Sequence, residues 1–112
     1  MKTTKVLIVE DDIVISEDLR EMLLQLGYRV AAQAYDAASA IFQLEHNSLD
    51  LAILDINLGS GENGIFLGEL IHSSYQLPFI YLTSYATPPI LAQAKKTRPS
   101  AYLVKPFQPK DL

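Results

Sequence analysis

Four short apolar runs punctuate the chain: KVLIV (5–9), LAILD (51–55), PFIYLT (78–83) and AYLV (101–104). A weaker fifth is YRVAAQA (28–34). The strongest runs are continuous rather than alternating, as in strands covered on both faces of a parallel sheet. Between them the apolar positions change to helical spacing. Over 13–26, Ile15, Leu19, Met22, Leu23 and Leu26 form one stripe, with Gly27 as a stop. Segment 37–46 places Ile41 and Leu44 on one face behind a cap at Asp36, and 64–74 carries Ile65, Leu67, Leu70 and Ile71. Segment 88–97 opens with Thr87-Pro88, a cap followed by proline at the first helical position, and carries Ile90, Leu91 and Ala94. The predicted order is β-α-β-α-β-α-β-α-β in one α/β domain spanning 1–112. Alternation of this kind predicts a doubly wound, five-stranded parallel sheet with right-handed crossovers and helices on both faces.

Such sheets bind ligands at the carboxyl ends of their strands. The residues that follow the runs are therefore the informative ones. Glu10-Asp11-Asp12 follow the first, Asp55 ends the third, Thr83-Ser84 end the fourth, and Lys105-Pro106 follow the fifth. Singly, each has an ordinary reading: Asp12 caps the next helix, Asp55 starts a turn, Thr83 belongs to the strand, and Lys105 is a surface lysine. Together they set Glu10, Asp11 and Asp55 at one edge. Three such carboxylates, unpaired, would cost several kcal/mol in stability. A hard divalent cation offsets that, and an all-oxygen donor set favours Mg2+ or Ca2+ over zinc. With Mg2+ bridging to phosphate oxygens, Asp55 can act as a nucleophile on phosphorus, and Lys105 can neutralise the transferred group.

Charge and composition narrow the setting. A formal net charge of −4 argues against nucleic-acid binding, and Lys95, Lys96 and Arg98 read as a solvated helix end. The chain has no cysteine, which removes disulfides, thiolate metal sites and a cysteine nucleophile. No run approaches the roughly 18 apolar residues of a membrane span, and the apolar start is too short for a signal peptide. The expected location is the cytoplasm.

The loop GSGENG spells G-x-G-x-x-G with Gly59, Gly61 and Gly64, the dinucleotide-binding fingerprint. Its context argues against that use. Asp55-Ile56-Asn57-Leu58 separate it from the strand core, Glu62 would repel a pyrophosphate, and the next strand ends in Thr83-Ser84 rather than in an acid for a ribose. The glycines read as turn residues leading into the third helix. A second rival is an Mg-dependent phosphatase with an Asp nucleophile. It wants an acid two residues after the nucleophile, and position 57 is asparagine. His46 and His72 lie in helical segments without paired ligands, so zinc has no support.

The blocks VLIVEDD, LAILDINL, IYLTSY and YLVKPF, in this order, resemble the signature blocks of response-regulator receiver domains, the phosphoacceptor modules of two-component signalling. The resemblance covers nearly the whole chain. It implies the flavodoxin-like strand order 2-1-3-4-5. It also implies phosphorylation of Asp55 by a sensor histidine kinase or a histidine phosphotransfer protein, with Mg2+ as cofactor. The metal would be held by Glu10 (largely through water), Asp11, Asp55 and the backbone carbonyl of Asn57. Thr83 would hydrogen-bond the phosphoryl oxygens, Lys105 would pair with one of them, and Tyr102 would be the switch aromatic that turns inward with Thr83. The Lys105-Pro106 bond would be cis. The domain would not be an enzyme beyond its own phosphorylation and dephosphorylation, and it would contact neither nucleic acid nor membrane. A receiver-like interaction module that is never phosphorylated stays open as an alternative.

Two departures from the family pattern stand out. Pro88-Pro89 stiffen the start of the fourth helix, which shifts the expected response toward residues 84–87 and Tyr102. The family also has a fifth helix of which Phe107–Leu112 would be the first turn. Without it the strand at 101–104 would leave apolar area open, at about 25 cal/mol per Å². The expectation is a truncated piece of a longer protein, or a homodimer that covers that face.

Overall fold

The computed structural model describes residues 4–56, 58, 64–83 and 88–104, the side chains of 88, 90, 91 and 104 aside. Strands and helices alternate as β1 (Lys5–Val9), α1 (Ile13–Gln25), β2 (Arg29–Ala34), α2 (Ala37–His46), β3 (Leu51–Asp55), α3 (Gly64–Leu70), β4 (Phe79–Thr83), α4 (Pro88–Lys96) and β5 (Ala101–Val104). All strand pairings are parallel and the order is β2-β1-β3-β4-β5. This is the doubly wound, flavodoxin-like sheet that the resemblance implies. The place assigned to a fifth helix falls outside the described residues.

Strand side chains alternate between the two faces, so each continuous run feeds two cores. Leu7, Val9, Leu54, Phe79 and Tyr81 pack with Ala40 and Leu44 of α2, Ile65 and Leu67 of α3 and Ala94 of α4. Val6, Ile8, Ile53, Leu82 and Leu103 pack with Leu19 and Leu23 of α1 on the other face. β1 is central and fully enclosed: Val6, Leu7, Ile8 and Val9 all have zero exposure. A reciprocal clip fixes its start beside β3, where the Lys5 N–H donates to Asp50 Oδ2 at 2.9 Å and the Asp50 N–H donates to the Lys5 carbonyl at 2.8 Å.

Helix ends follow their local chemistry. Asp12 caps α1, its Oδ1 accepting from the N–H groups of Val14 and Ile15 at 2.9 and 3.3 Å. Past the other end, Gly27 adopts φ 93°, with N–H bonds from Gly27 to Leu24 O and from Tyr28 to Leu23 O. That is a Schellman closure, which needs the left-handed conformation glycine adopts without strain. Asp36 caps α2 through a reciprocal box with Ser39. These bonds hold the Asp36 carboxyl below its ordinary value, the Ser39 hydroxyl first and the Ser39 N–H second.

One boundary differs from expectation. The helix predicted over 64–74 is α-helical only through Leu70 and then widens into a π turn, Ile71–Tyr75. Ser73 Oγ donates to the Glu69 carbonyl at 2.9 Å, and the Gln76 N–H closes back on Ile71 O at 2.7 Å. A side-chain donor competing for a helical carbonyl and a closing bond five residues long together account for the wider turn.

Candidate functional site

The sheet brings the first, third and fourth strand ends to one edge. Glu10 follows β1, with its N–H bonded to Ala34 O, and its Oε2 accepts from the Asp12 N–H at 3.2 Å. Asp55 is the last residue of β3, and the next N–H, of Ile56, bonds to Leu82 O of β4. Ile56 and Leu58 are buried in the core and hold the chain against the sheet on either side of position 57. Carboxylate oxygens of Glu10, Asp11 and Asp55 lie within 4.8 Å of one another. Glu10 has zero exposure and Asp55 4%, whereas Asp11 is exposed. Two buried acids and one facing solvent make a hard, all-oxygen donor set open on one side, which fits a divalent cation that keeps water ligands. Thr83 ends β4 and is buried, one strand over from Asp55. Tyr102 lies in β5 opposite Tyr81, with its ring centroid 6.1 Å from the Tyr81 ring, and is 38% exposed.

Glu10, Asp11 and Asp55 thus lie together at one edge, with Thr83 at the end of the neighbouring strand. Asn57 and Lys105, the Lys105-Pro106 bond, Gly59 and Gly61 lie outside the described residues.

Among the described residues Gly27 is the one glycine with positive φ, so Gly64, read from the sequence as a turn residue leading into the third helix, needs no special dihedral. It is the first residue of α3, and a β-carbon there would overlap the Asp55 carbonyl oxygen and sit 2.9 Å from its carbon. Its N–H bonds to Ile56 O at 2.8 Å. Glycine is needed here for close approach: α3 begins against the backbone of Asp55 itself. The sequence reading also passed over Tyr81. Its ring is fully buried and its hydroxyl meets Thr97 Oγ1 at 2.6 Å. Burial pushes its pKa up to about 12, partly countered by the Thr97 bond. A tyrosine inside an otherwise apolar strand was the available signal, because a buried phenol needs a partner.

Comparison with known proteins bears on the same features. The family model for the response regulator receiver domain matches residues 6–112. The transcriptional regulatory protein PdtaR of Mycobacterium tuberculosis is 35% identical over 108 residues, covering 96% of this chain and 52% of PdtaR. The aerobic respiration control protein ArcA of Escherichia coli K12 is 30% identical over 112 residues, covering all of this chain and 46% of ArcA. The chain therefore spans about half the length of these curated relatives. Among solved structures, a CheY-like receiver domain protein from Methanospirillum hungatei superposes with a TM-score of 0.88 at 29% identity, covering 98% of this chain and 87% of that one. A response regulator from Burkholderia pseudomallei, solved with a phosphorylated aspartic acid and a calcium ion, superposes at 0.84 with 26% identity, covering 96% and 63%. With the acid cluster at the strand ends and a family match over nearly its whole length, this chain belongs to the response regulator receiver domains of two-component signalling.

Proposed function

We propose that the chain takes a phosphoryl group from a phosphohistidine, on a sensor histidine kinase or a histidine phosphotransfer protein, onto Asp55. The observation that carries this is the buried Asp55 carboxylate at the end of β3, within 4.8 Å of the Glu10 and Asp11 carboxylates. An Asp55 oxygen attacks phosphorus in line, the phosphorus–nitrogen bond breaks, and its electron pair returns to the imidazole. Glu10, Asp11, Asp55 and the Asn57 backbone carbonyl would hold Mg2+, which neutralises charge on the phosphoryl oxygens when bound. Lys105 pairs with one phosphoryl oxygen and Thr83 donates to another. Drawing Thr83 toward the phosphoryl group frees space for Tyr102, half-exposed in this structure, to turn inward. Water then attacks phosphorus, the bond from phosphorus to the Asp55 oxygen breaks, and inorganic phosphate leaves with the carboxylate restored. The calcium ion and phosphorylated aspartic acid of the Burkholderia pseudomallei relative support the assignment.

The surface beside the site suits a protein donor. Ile13 and Val14, at the start of α1 next to the acids, are 63% and 69% exposed. Among the described residues no helix is long and apolar enough to cross a membrane. The reading puts the chain in the cytoplasm with its donor. Incubation with acetyl phosphate and Mg2+, followed by intact mass, tests the proposal. One added phosphoryl group is expected, absent in Asp55→Asn. No addition, or addition that persists in Asp55→Asn, sinks it and favours an interaction module that works without phosphorylation.

A further inference from the structure

Three helical segments end in a residue with positive φ. α1 closes on Gly27 at φ 93°, the π turn after α3 closes on Gln76 at φ 51°, and α4 closes on Arg98 at φ 59°. Gln76 and Arg98 are the only non-glycine residues so placed among the described residues. A β-carbon is unfavourable in that region, and glycine, used after α1, avoids the penalty. Pro99 adds to it at Arg98, because a residue before proline is pushed toward extended backbone. No internal contact repays the cost. Both ion pairs among the described residues belong to Arg20, and no side-chain hydrogen bond to a described residue engages Gln76 or Arg98. What the two side chains share is a cleft of about 400 Å³ at the amino ends of β4 and β5, which both of them line. The Ser100 N–H donates to the Phe79 carbonyl at 2.8 Å and ties the segment after α4 to the start of β4. His72, Gln76, Arg98 and Ser100 are exposed and form the rim; Leu77 is half-buried and Phe79 buried, and they form the floor. None of the described residues lining the cleft is acidic. The rim offers a guanidinium, an amide, a hydroxyl and an imidazole N–H, on a chain of net charge −4.

We propose that this cleft binds a small organic monocarboxylate, its carboxylate paired with Arg98 and its apolar body on Leu77 and Phe79. The planar guanidinium fork matches a carboxylate with two parallel hydrogen bonds, and Gln76 and Ser100 supply donors for the remaining lone pairs. The volume lies in the range of small-molecule sites, about 300–1,000 Å³. An inorganic oxyanion fits less well: it would leave the floor in water and set two charges against one guanidinium. The ligand is therefore an acid with one negative charge and a ring or short branched chain. Glycine at 76 and 98 would relieve the backbone and remove the donors, which is why the strain sits at this site. The cleft is separate from the phosphoacceptor edge. Phe79 begins β4 and Thr83 ends it, about 13 Å along the strand, so the proposal does not rest on the Asp55 reading.

The test is a titration of the full chain with benzoate, read by amide chemical shifts in NMR, with benzamide and inorganic phosphate as comparisons. Benzoate should give saturable shifts centred on His72, Gln76, Arg98 and Ser100, half-complete on the order of 1 mM. Benzamide has the same shape without the charge and should bind about tenfold more weakly or worse. Arg98→Gly removes the guanidinium and frees the backbone, so its thermal midpoint should hold or rise while benzoate affinity falls about tenfold. Gln76→Gly should behave alike, with a loss of about threefold. A side chain present only for folding would not separate stability from binding in this direction. Benzoate shifts that do not saturate or that centre elsewhere overturn the proposal, as does unchanged benzoate affinity in Arg98→Gly. Benzamide or phosphate binding as tightly as benzoate overturns the assignment of an apolar carboxylate. A lowered thermal midpoint in Arg98→Gly also overturns it, since the arginine then has a reason to stand there without a ligand.

Discussion

Gly64→Ala adds one methyl group where α3 meets β3, and the structure fixes what that methyl meets. Its β-carbon overlaps the Asp55 carbonyl oxygen and lies 2.9 Å from Asp55 C and 3.1 Å from Ile56 Cα. All three are backbone atoms, so no rotamer change relieves the overlap. Ordinary contact begins at 3.4 Å, and clearing the carbonyl oxygen requires α3 to retreat by more than an ångström. That retreat stretches the 2.8 Å bond from the Gly64 N–H to Ile56 O. Overpacking costs about 1–3 kcal/mol and a weakened hydrogen bond about 1 more. Alanine recovers up to about 1 kcal/mol of helix propensity, less at a first-turn position. The net expectation is destabilisation of about 2 kcal/mol. With a urea slope of about 1–3 kcal/mol per M, the unfolding midpoint should fall by roughly 1 M at unchanged slope. Because the clash is with Asp55 itself, phosphoryl uptake should slow as well. A midpoint equal to or above that of the native chain would show that α3 does not need this approach and refute the close-contact account.

Three further outcomes follow from other sites. Tyr81 has a folded pKa near 12 against an ordinary value of 10.0, so the folded state keeps its proton where the unfolded state loses it. Its contribution is complete below pH 10 and is lost as pH rises toward 12, by about 2–3 kcal/mol, and an alkaline urea series on Tyr81→Phe should lack that loss. On the proposed function Mg2+ binds the carboxylates only once the fold assembles them, so it should raise the thermal midpoint of the native chain, and Asp11→Asn should remove most of the gain; an equal gain in both would count against the cluster as the ion's site. Asp36, held below its ordinary pKa, supports folding above that value and ceases to as pH falls through the lowered one, so acid titration of Asp36→Ala by circular dichroism should lack this component.

The sequence was most legible where one local rule acted alone. The four continuous apolar runs and the weaker run at 28–34 set every strand to within a residue, and Asp12 and Asp36 cap as their side chains dictate. Asp12 shows the limit of reading acids as a group: of three consecutive acids it is spent on α1, while Glu10 and Asp11 face Asp55. Strand order was not readable from periodicity, because a crossover of a given hand can add a strand on either side of β1; it came from the resemblance. Gly64 and Gly68 were opaque for another reason. A glycine required by its own dihedrals leaves a local trace, as Gly27 does, but one required by a neighbour's atoms depends on partners 9 and 13 residues away that only the fold supplies. The π turn likewise depends on Ser73 finding a carbonyl, a competition that hydrophobic spacing does not record.

The clip between Lys5 and Asp50 has a consequence for the order in which the molecule assembles. β1 is synthesised before the other strands of this sheet, and Val6 to Val9 are fully enclosed in the finished sheet, yet its partner across this clip lies 45 residues downstream. β2 alone can pair one of its edges early. The other edge waits for the closure of that long loop, an entropic step that slows folding more than it weakens the folded state. The same closure carries Asp55 to Glu10 and Asp11. Repulsion among the carboxylates is thus deferred until β3 has zipped onto β1, and a nascent chain that ends before residue 50 folds toward its sheet without meeting it.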